Sequence, residues 1–344
     1  MIRGRDVVTL DTFRPEEIRH VVALARTMKA RGHGRPLEGA ALAMVFFQPS
    51  LRTRASFSLA FSTLGGSVVD MAAGRDLWHL ELRDKAVMRG EADEHVRDAA
   101  AVLSRYCDAI AIRALGTQDD WALARRDEVI VSFQKHATVP IFNMESVLDH
   151  PTQAWGDALT LEEELGDLRG RRLALTWCHS PKARSLAVPH GVMQMATKLG
   201  MHVTLCHPEG YELDGLLRET ARRNAQASGG SLREAHALAE GLAGADVVYA
   251  ASWGATHLYG RPQEEQALRQ QHAGWRLTRQ AMAASRDARF LHAMPVRRNV
   301  EVDDDVVDGP RSLMLAQAEN RLHIQRALFT AVLAPPDGHG AGPG

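Results

Sequence analysis

Two kinds of hydrophobic pattern alternate along the chain. From Pro15 to Lys29 the apolar residues fall at Ile18, Val21, Val22, Ala25 and Met28, a spacing of three and four that predicts a helix with one buried stripe. Ala41 to Phe47, by contrast, is an unbroken apolar run between Gly39 and Pro49. It is too short for a helix of ordinary length and predicts a strand covered on both faces. Similar runs recur from Asp108 to Ile112, Val139 to Met144, Leu173 to Trp177, Val203 to Cys206, Asp246 to Ala250, Phe290 to Met294 and Leu313 to Leu315, with helical patterns between most of them. Strands alternating with helices predict the α/β class, with parallel sheets joined by right-handed crossovers.

Thr152 to Leu165 reads as one helix, amphipathic and then acidic, and the polar stretch from Gly166 to Arg171 separates it from the next strand. A domain boundary near residue 150 follows, with domains at 1–150 and 151–333, each large enough to bury its own core. The segment from Ala334 to Gly344 carries Pro and Gly without periodicity and is expected to be a disordered tail. No internal repeat is present.

Composition narrows the function classes. The 41 basic and 42 acidic residues nearly cancel, so no global field draws the chain onto nucleic acid or an anionic membrane, and any cationic site must be built locally. Cys107, Cys178 and Cys206 are widely spaced and form no CxxC pair, which argues against a disulfide framework or a structural zinc site. No signal-peptide core and no long apolar run is found, so the expected location is a reducing cytoplasm. No GxGxxG follows a predicted strand, which disfavours a nicotinamide-dependent Rossmann enzyme.

The densest candidate chemistry follows the Ala41 strand: Gln48-Pro49-Ser50-Leu51-Arg52-Thr53-Arg54, and then the helical-looking stretch from Ala55 to Phe61. A helix start presents unpaired backbone N–H groups and a positive dipole end, which suit a compact anion. Ser50 and Thr53 add hydroxyls, and Arg52 and Arg54 add guanidiniums that pair with phosphate oxygens. The same residues also fit a surface turn with an N-capping serine and two solvated arginines. Spacing alone does not decide between the two.

Ser50-Leu51-Arg52-Thr53-Arg54 resembles the Ser-x-Arg-Thr-Arg carbamoyl phosphate signature of the aspartate and ornithine carbamoyltransferase family. Four further segments resemble that family in the same order: Asp108 to Arg113, a strand ending in arginine; His150-Pro151-Thr152-Gln153; His292-Ala293-Met294-Pro295 with Arg297-Arg298; and Glu319-Asn320-Arg321. The resemblance implies the carbamoyltransferase fold, with two doubly wound parallel-sheet domains and a C-terminal helix packing back on the first. It also implies a homotrimer with shared active sites, and neither metal nor cofactor.

In roles carried over by that resemblance, Ser50, Leu51 through its backbone N–H, Arg52, Thr53 and Arg54 grip the phosphate. Arg113, His150 and Thr53 surround the carbonyl oxygen, where donors aimed at developing charge are worth several kcal/mol. Gln153 orients the carbamoyl NH2, together with backbone carbonyls near Ala293 and Met294. Arg321 reaches the donor from the second domain, so that domain closure completes the site. The departing phosphate serves as proton acceptor. Taken singly, His150 also fits a cap on the connector helix, and Arg113 a surface charge at a strand end.

Within the family the likeness runs closest to the N-acylornithine branch, through Phe46-Phe47-Gln48-Pro49-Ser50, Gly74-Arg75-Asp76-Leu77-Trp78, Asn143-Met144-Glu145, Ser252-Trp253-Gly254, Arg297-Arg298-Asn299-Val300 and Ala318 to His323. That branch implies that Trp78, on a loop from a neighbouring subunit, closes over the acceptor and that Glu145 and Arg297 bind its polar end. The alternative for Trp78 is an ordinary core position.

Four residues depart from the branch. Ala251 stands where a lysine for the acceptor carboxylate is expected, Ala293 where a cysteine is, Asp93 where Glu or Pro is, and Glu301 where another lysine is. All four fall on the acceptor side, so the donor is expected to be carbamoyl phosphate and the acceptor a small amine, N-acetylornithine first. Arginine biosynthesis follows if that acceptor is right. N-succinylornithine, ornithine or a specialised-metabolite amine are the alternatives, and a non-catalytic carbamoyl phosphate-binding paralogue is the alternative from another class.

Overall fold

In the computed structural model residues 2–335 are described, so residues 336–344 of the expected tail lie outside the described residues. The strands, in chain order, are β1 (Ala41–Phe46), β2 (Ser67–Ala72), β3 (Leu80–Glu81), β4 (Glu94–His95), β5 (Ala109–Arg113), β6 (Ile141–Glu145), β7 (Arg172–Trp177), β8 (His202–Cys206), β9 (Ser231–Ala235), β10 (Val247–Ala251) and β11 (Arg289–Leu291). They form a sheet of order β2-β1-β5-β6, a sheet of order β11-β10-β7-β8-β9 and the small β3–β4 pair. Every ladder is parallel. The chain divides into two compact units, the first made of the chain up to Gly116, Leu123–Thr152 and the segment from Arg321 on, the second of Thr117–Ala122 and Gln153–Asn320.

In the first unit β1 and β5 are the central strands. Leu42, Ala43, Met44, Val45 and all of Ala109–Arg113 are buried, as continuous apolar runs require when helices cover both faces. The chain leaves β1 toward β2 on one side and returns as β5 and β6 on the other, which makes the gap between β1 and β5 the point where strand order reverses. Ligands of doubly wound sheets bind beyond the carboxyl ends of the strands at such a point. Here those ends carry the segment after Phe46 and Arg113, which are partners in register. The second unit repeats the device, its chain starting at β7, running out through β8 and β9, and returning as β10 and β11.

Three local readings differ from expectation. The run from Leu313 to Leu315 is not a strand: beyond an isolated bridge from Phe290 to Ser312, Met314 already opens the helix Met314–Leu333, and an apolar triplet cannot tell the two apart. The strand expected from Phe290 to Met294 stops at Leu291, because the His292 N–H turns to Gln317 Oε1 and Met294 adopts φ 42°. Strands β2 and β9 have no continuous apolar run, since both lie at sheet edges with several exposed side chains.

Candidate active site

The helix Leu51–Thr63 starts immediately beyond β1, and Ser50 is its N-cap: its Oγ accepts from the Thr53 N–H at 3.3 Å. The N–H groups of the first turn therefore point off the sheet edge with a hydroxyl among them. Thr53 is buried at 2% exposure, and Phe57, Ala60 and Phe61 continue the same face. Phe57 and Phe61 meet Phe329 edge to face at 5.6 and 5.0 Å. Earlier on the helix that carries Phe329, Arg321 Nη2 donates to Thr53 Oγ1 at 2.8 Å. The C-terminal helix is thus held against the phosphate-segment helix by apolar packing, and that packing delivers a guanidinium to Thr53. Arg321 belongs to the same compact unit as Thr53, and not to the second domain from which it was expected to reach the donor.

Leu51 is 79% exposed, which leaves its N–H as its contribution. Arg52 is half-buried, and Arg54 lies over the Phe46 ring at 4.3 Å with its Nη1 donating to Asp70 at 2.9 Å. Neither arginine is the fully solvated charge of the surface-turn reading.

Arg113 ends β5 at 8% exposure, so it is no surface charge. Its Nη1 donates to the carbonyl oxygens of Gln48 and Pro49 at 3.3 and 3.2 Å, its Nη2 to Glu145 Oε2 at 2.7 Å, and its Nε has no partner. One guanidinium thereby ties the turn before Ser50 to the end of β6. His150 is 3% exposed. Burial first, and then the nearby guanidiniums of Arg321 and Arg113, hold its imidazole well below the usual histidine range. At neutral pH it is an uncharged ring able to donate one N–H and accept at the other nitrogen.

A group that the sequence reading missed holds the backbone that leads into His150. Asp149 Oδ2 accepts from the Leu10 N–H at 2.8 Å and the Thr9 hydroxyl at 2.9 Å. Asn143 Nδ2 donates to the carbonyl oxygens of Val8 and Asp149 and to Ser146 Oγ, and Asp127 takes the Ser146 hydroxyl and the Val147 N–H. Burial pushes the Asp149 carboxyl up to about 6, against the lowering effect of its Leu10 and Thr9 hydrogen bonds. The sequence signal was present in Asp149-His150, but its partners lie up to 140 residues away.

In the second unit Gln153 Nε2 donates to Asp157 Oδ1 at 2.7 Å, and Gln317 Nε2 donates to the same oxygen at 2.7 Å. This leaves Gln153 Oε1 buried and without a partner, an acceptor suited to an N–H donor. Of the expected acceptor residues, Trp78 is 67% exposed in the single chain, which rules out an ordinary core position there. Asp93 and Arg297 are exposed, Ala293 and Met294 half-buried, and Ala251 buried.

Cys178, His292 and Glu301 place one ligand-type atom each within 4.8 Å of one another. The Met294 N–H donates to His292 Nδ1 at 2.9 Å, which assigns the ring proton to Nε2, 3.5 Å from Glu301 Oε2. Glu301 already accepts from Arg184 Nη2 at 3.0 Å and from the Arg297 N–H at 2.8 Å. Burial would raise its carboxyl, but the His292 contact, the Arg297 N–H and the Arg184 charge together bring it down to about 2. Glu301 is thus already held by Arg184 and the Arg297 N–H, while His292 Nε2 faces it without a hydrogen bond and burial keeps the Cys178 thiol protonated.

The carbamoyl-P binding domain of aspartate/ornithine carbamoyltransferase matches residues 5–163, and the Asp/Orn binding domain matches residues 184–332. N-acetylornithine carbamoyltransferase of Xanthomonas campestris is 40% identical over 320 residues, 92% of this chain and 94% of the relative. A crystal structure of acetylornithine transcarbamylase complexed with acetylcitrulline superimposes with a TM-score of 0.94 at 38% identity, covering 96% of this chain and all of the other. A mutant N-acetyl-L-ornithine transcarbamylase complexed with carbamyl phosphate and N-succinyl-L-norvaline does so with a TM-score of 0.93 at 39% identity, covering 95% and 99%.

Proposed function

The chain belongs to the aspartate/ornithine carbamoyltransferase family, and from that premise we propose that it moves the carbamoyl group of carbamoyl phosphate to the side-chain amine of N-acetyl-L-ornithine, releasing phosphate. The observation that carries the donor half is the capped helix start beyond β1, where Ser50, Thr53 and Arg321 meet, and where Arg113 and His150 belong to the same unit. The first-turn N–H groups, Ser50, Arg52, Thr53 and Arg54 hold the phosphate. Arg113, neutral His150 and Thr53 donate to the carbonyl oxygen as the amine attacks and negative charge develops there. An uncharged imidazole suits this role, because it donates a hydrogen bond without adding a third positive charge beside Arg113 and Arg321. Gln153 Oε1 receives the carbamoyl NH2. The phosphate group, still a dianion in the tetrahedral intermediate, takes the proton that the amine gives up, and the intermediate collapses by breaking the C–O bond, which releases hydrogen phosphate.

The acceptor half rests on the relatives and on Glu145, Trp78, Asp93, Ala251, Ala293, Met294 and Arg297 as the residues that meet the acceptor. The assembly is a homotrimer, which gives the exposed Trp78, Val87 and Met88 a neighbour to cover them. Among the described residues no helix is long and apolar enough to cross a membrane, and three buried free thiols suit a cytoplasmic enzyme. The pathway is arginine biosynthesis.

The test is phosphate release from carbamoyl phosphate with a panel of N-acetylornithine, N-succinylornithine, ornithine and aspartate. The highest kcat/KM is expected with N-acetylornithine. Preference for another amine would replace the acceptor, and absence of turnover with all of them would return the chain to a binding role.

A further inference from the structure

The reversal point of the second sheet lies between β7 and β10, so the loops after Trp177 and Ala251 occupy the ligand-binding edge of that unit. An N-acylated amino acid arriving there brings a carboxylate, and a carboxylate in a partly buried site needs a cation. The neighbouring strand ends provide methyl groups, Ala251 and Ala293. Arg269 is wholly buried and occupied: it donates to Glu265, to Ser252 Oγ and to the carbonyl oxygens of Ser180 and Trp253. Its work is to clamp the two loops together.

Arg184 is different. It stands on the loop after β7, and its carbonyl oxygen accepts from the Gly254 N–H of the loop after β10 at 3.2 Å, while a Cβ on Gly254 would meet Ala183 Cβ at 3.2 Å. Its side chain is 31% exposed and its Nη2 donates to Glu301, whose side chain is wholly buried. Glu301 is itself pinned by the Arg297 N–H and faces His292. A guanidinium has five N–H donors in a rigid fork, so a carboxylate fixed behind it leaves others for an incoming anion.

We propose that Arg184, aimed by the buried Glu301, binds the α-carboxylate of the acceptor and is a specificity-determining residue of this enzyme. This rests on the reading of the acceptor as an N-acylated amino acid. It also accounts for two departures at once: the sign reversal at Glu301 is the anchor of the cation, and Ala251 needs no charge because the neighbouring loop brings one.

The experiment compares N-acetylornithine with N-acetylputrescine, the same amine without the carboxylate, in the wild type and in Arg184→Met/Glu301→Gln, which removes the pair without leaving a buried charge. The wild type should prefer N-acetylornithine strongly. The double variant should lose about 10- to 100-fold in kcat/KM for N-acetylornithine and little for N-acetylputrescine, with KM for carbamoyl phosphate unchanged. Arg184→Lys should recover part of the loss. Equal losses on both amines, or no loss on either, would overturn the assignment. A wild type inactive on N-acetylornithine but active on ornithine would overturn the acceptor alone, and the ornithine and putrescine pair would then test Arg184 by the same comparison.

Discussion

Replacing Arg113 by alanine removes a guanidinium that serves three partners, the Gln48 and Pro49 carbonyl oxygens and the Glu145 carboxylate. Two separate losses follow. Glu145, with a side chain 13% exposed, keeps its charge without its counter-ion, and breaking one side of a buried pair costs about 3–5 kcal/mol of stability. Removing a donor aimed at the oxyanion costs about 10²- to 10³-fold in kcat. The second change Glu145→Gln separates them, because it deletes the orphaned charge and leaves the missing donor missing. Thermal melting of Arg113→Ala/Glu145→Gln should return toward the wild type while single-turnover phosphate release stays depressed. Binding of a phosphonate that lacks the carbonyl, measured by calorimetry, should stay within about threefold, since its contacts are with the first turn of Leu51–Thr63. Turnover restored together with stability would show that Arg113 only props the turn. Analogue binding lost in step with turnover would show that it holds the phosphate.

Thr53→Val keeps the buried volume but deletes the oxygen that accepts from Arg321, so KM for carbamoyl phosphate should rise about tenfold or more and stability fall by about 1–3 kcal/mol, read from kinetics and urea unfolding. Ser50→Ala removes an N-cap and should cost about 0.5–2 kcal/mol by thermal denaturation, beyond any effect on donor binding. Asp149, with its carboxyl raised from 3.8 to about 6, binds its proton more tightly folded than unfolded, so its contribution to stability is present below about 4 and is lost as pH rises to 6. Asp149→Asn keeps an acceptor for Leu10 and Thr9, and the difference in stability between variant and wild type should therefore grow in the variant's favour across that window; a flat difference would contradict the assignment. Trp78→Ala should raise acceptor KM with little change in KM for carbamoyl phosphate, and light scattering should find the same particle mass as for the wild type.

How much of this was legible depended on sequence distance. The strand, turn and capped helix start from Ala41 to Arg54 could be read directly, because those residues are contiguous and local rules suffice to place them, but spacing left a surface turn open and the phosphate reading came from the family likeness. Arg113, His150 and Arg321 were recognisable only through the family likeness. Nothing in a lone arginine says that it will be buried, and only the packing of Phe329 on Phe57 and Phe61 brings Arg321 to Thr53. Edge strands β2 and β9 escaped because burial, not backbone preference, writes the apolar runs.

The departures at Ala251 and Glu301 show the same limit from the other side. Read as letters they are two lost lysines, a missing bond and an inverted charge. In three dimensions Glu301 lies against an arginine 117 residues earlier in the chain, and the inversion becomes half of a pair. A substitution that reverses charge at a buried position can persist only if its counter-charge is rebuilt nearby, since an unpaired buried carboxylate costs several kcal/mol. The place to look for altered specificity is therefore its partner, Arg184, and not the residue whose change was visible first.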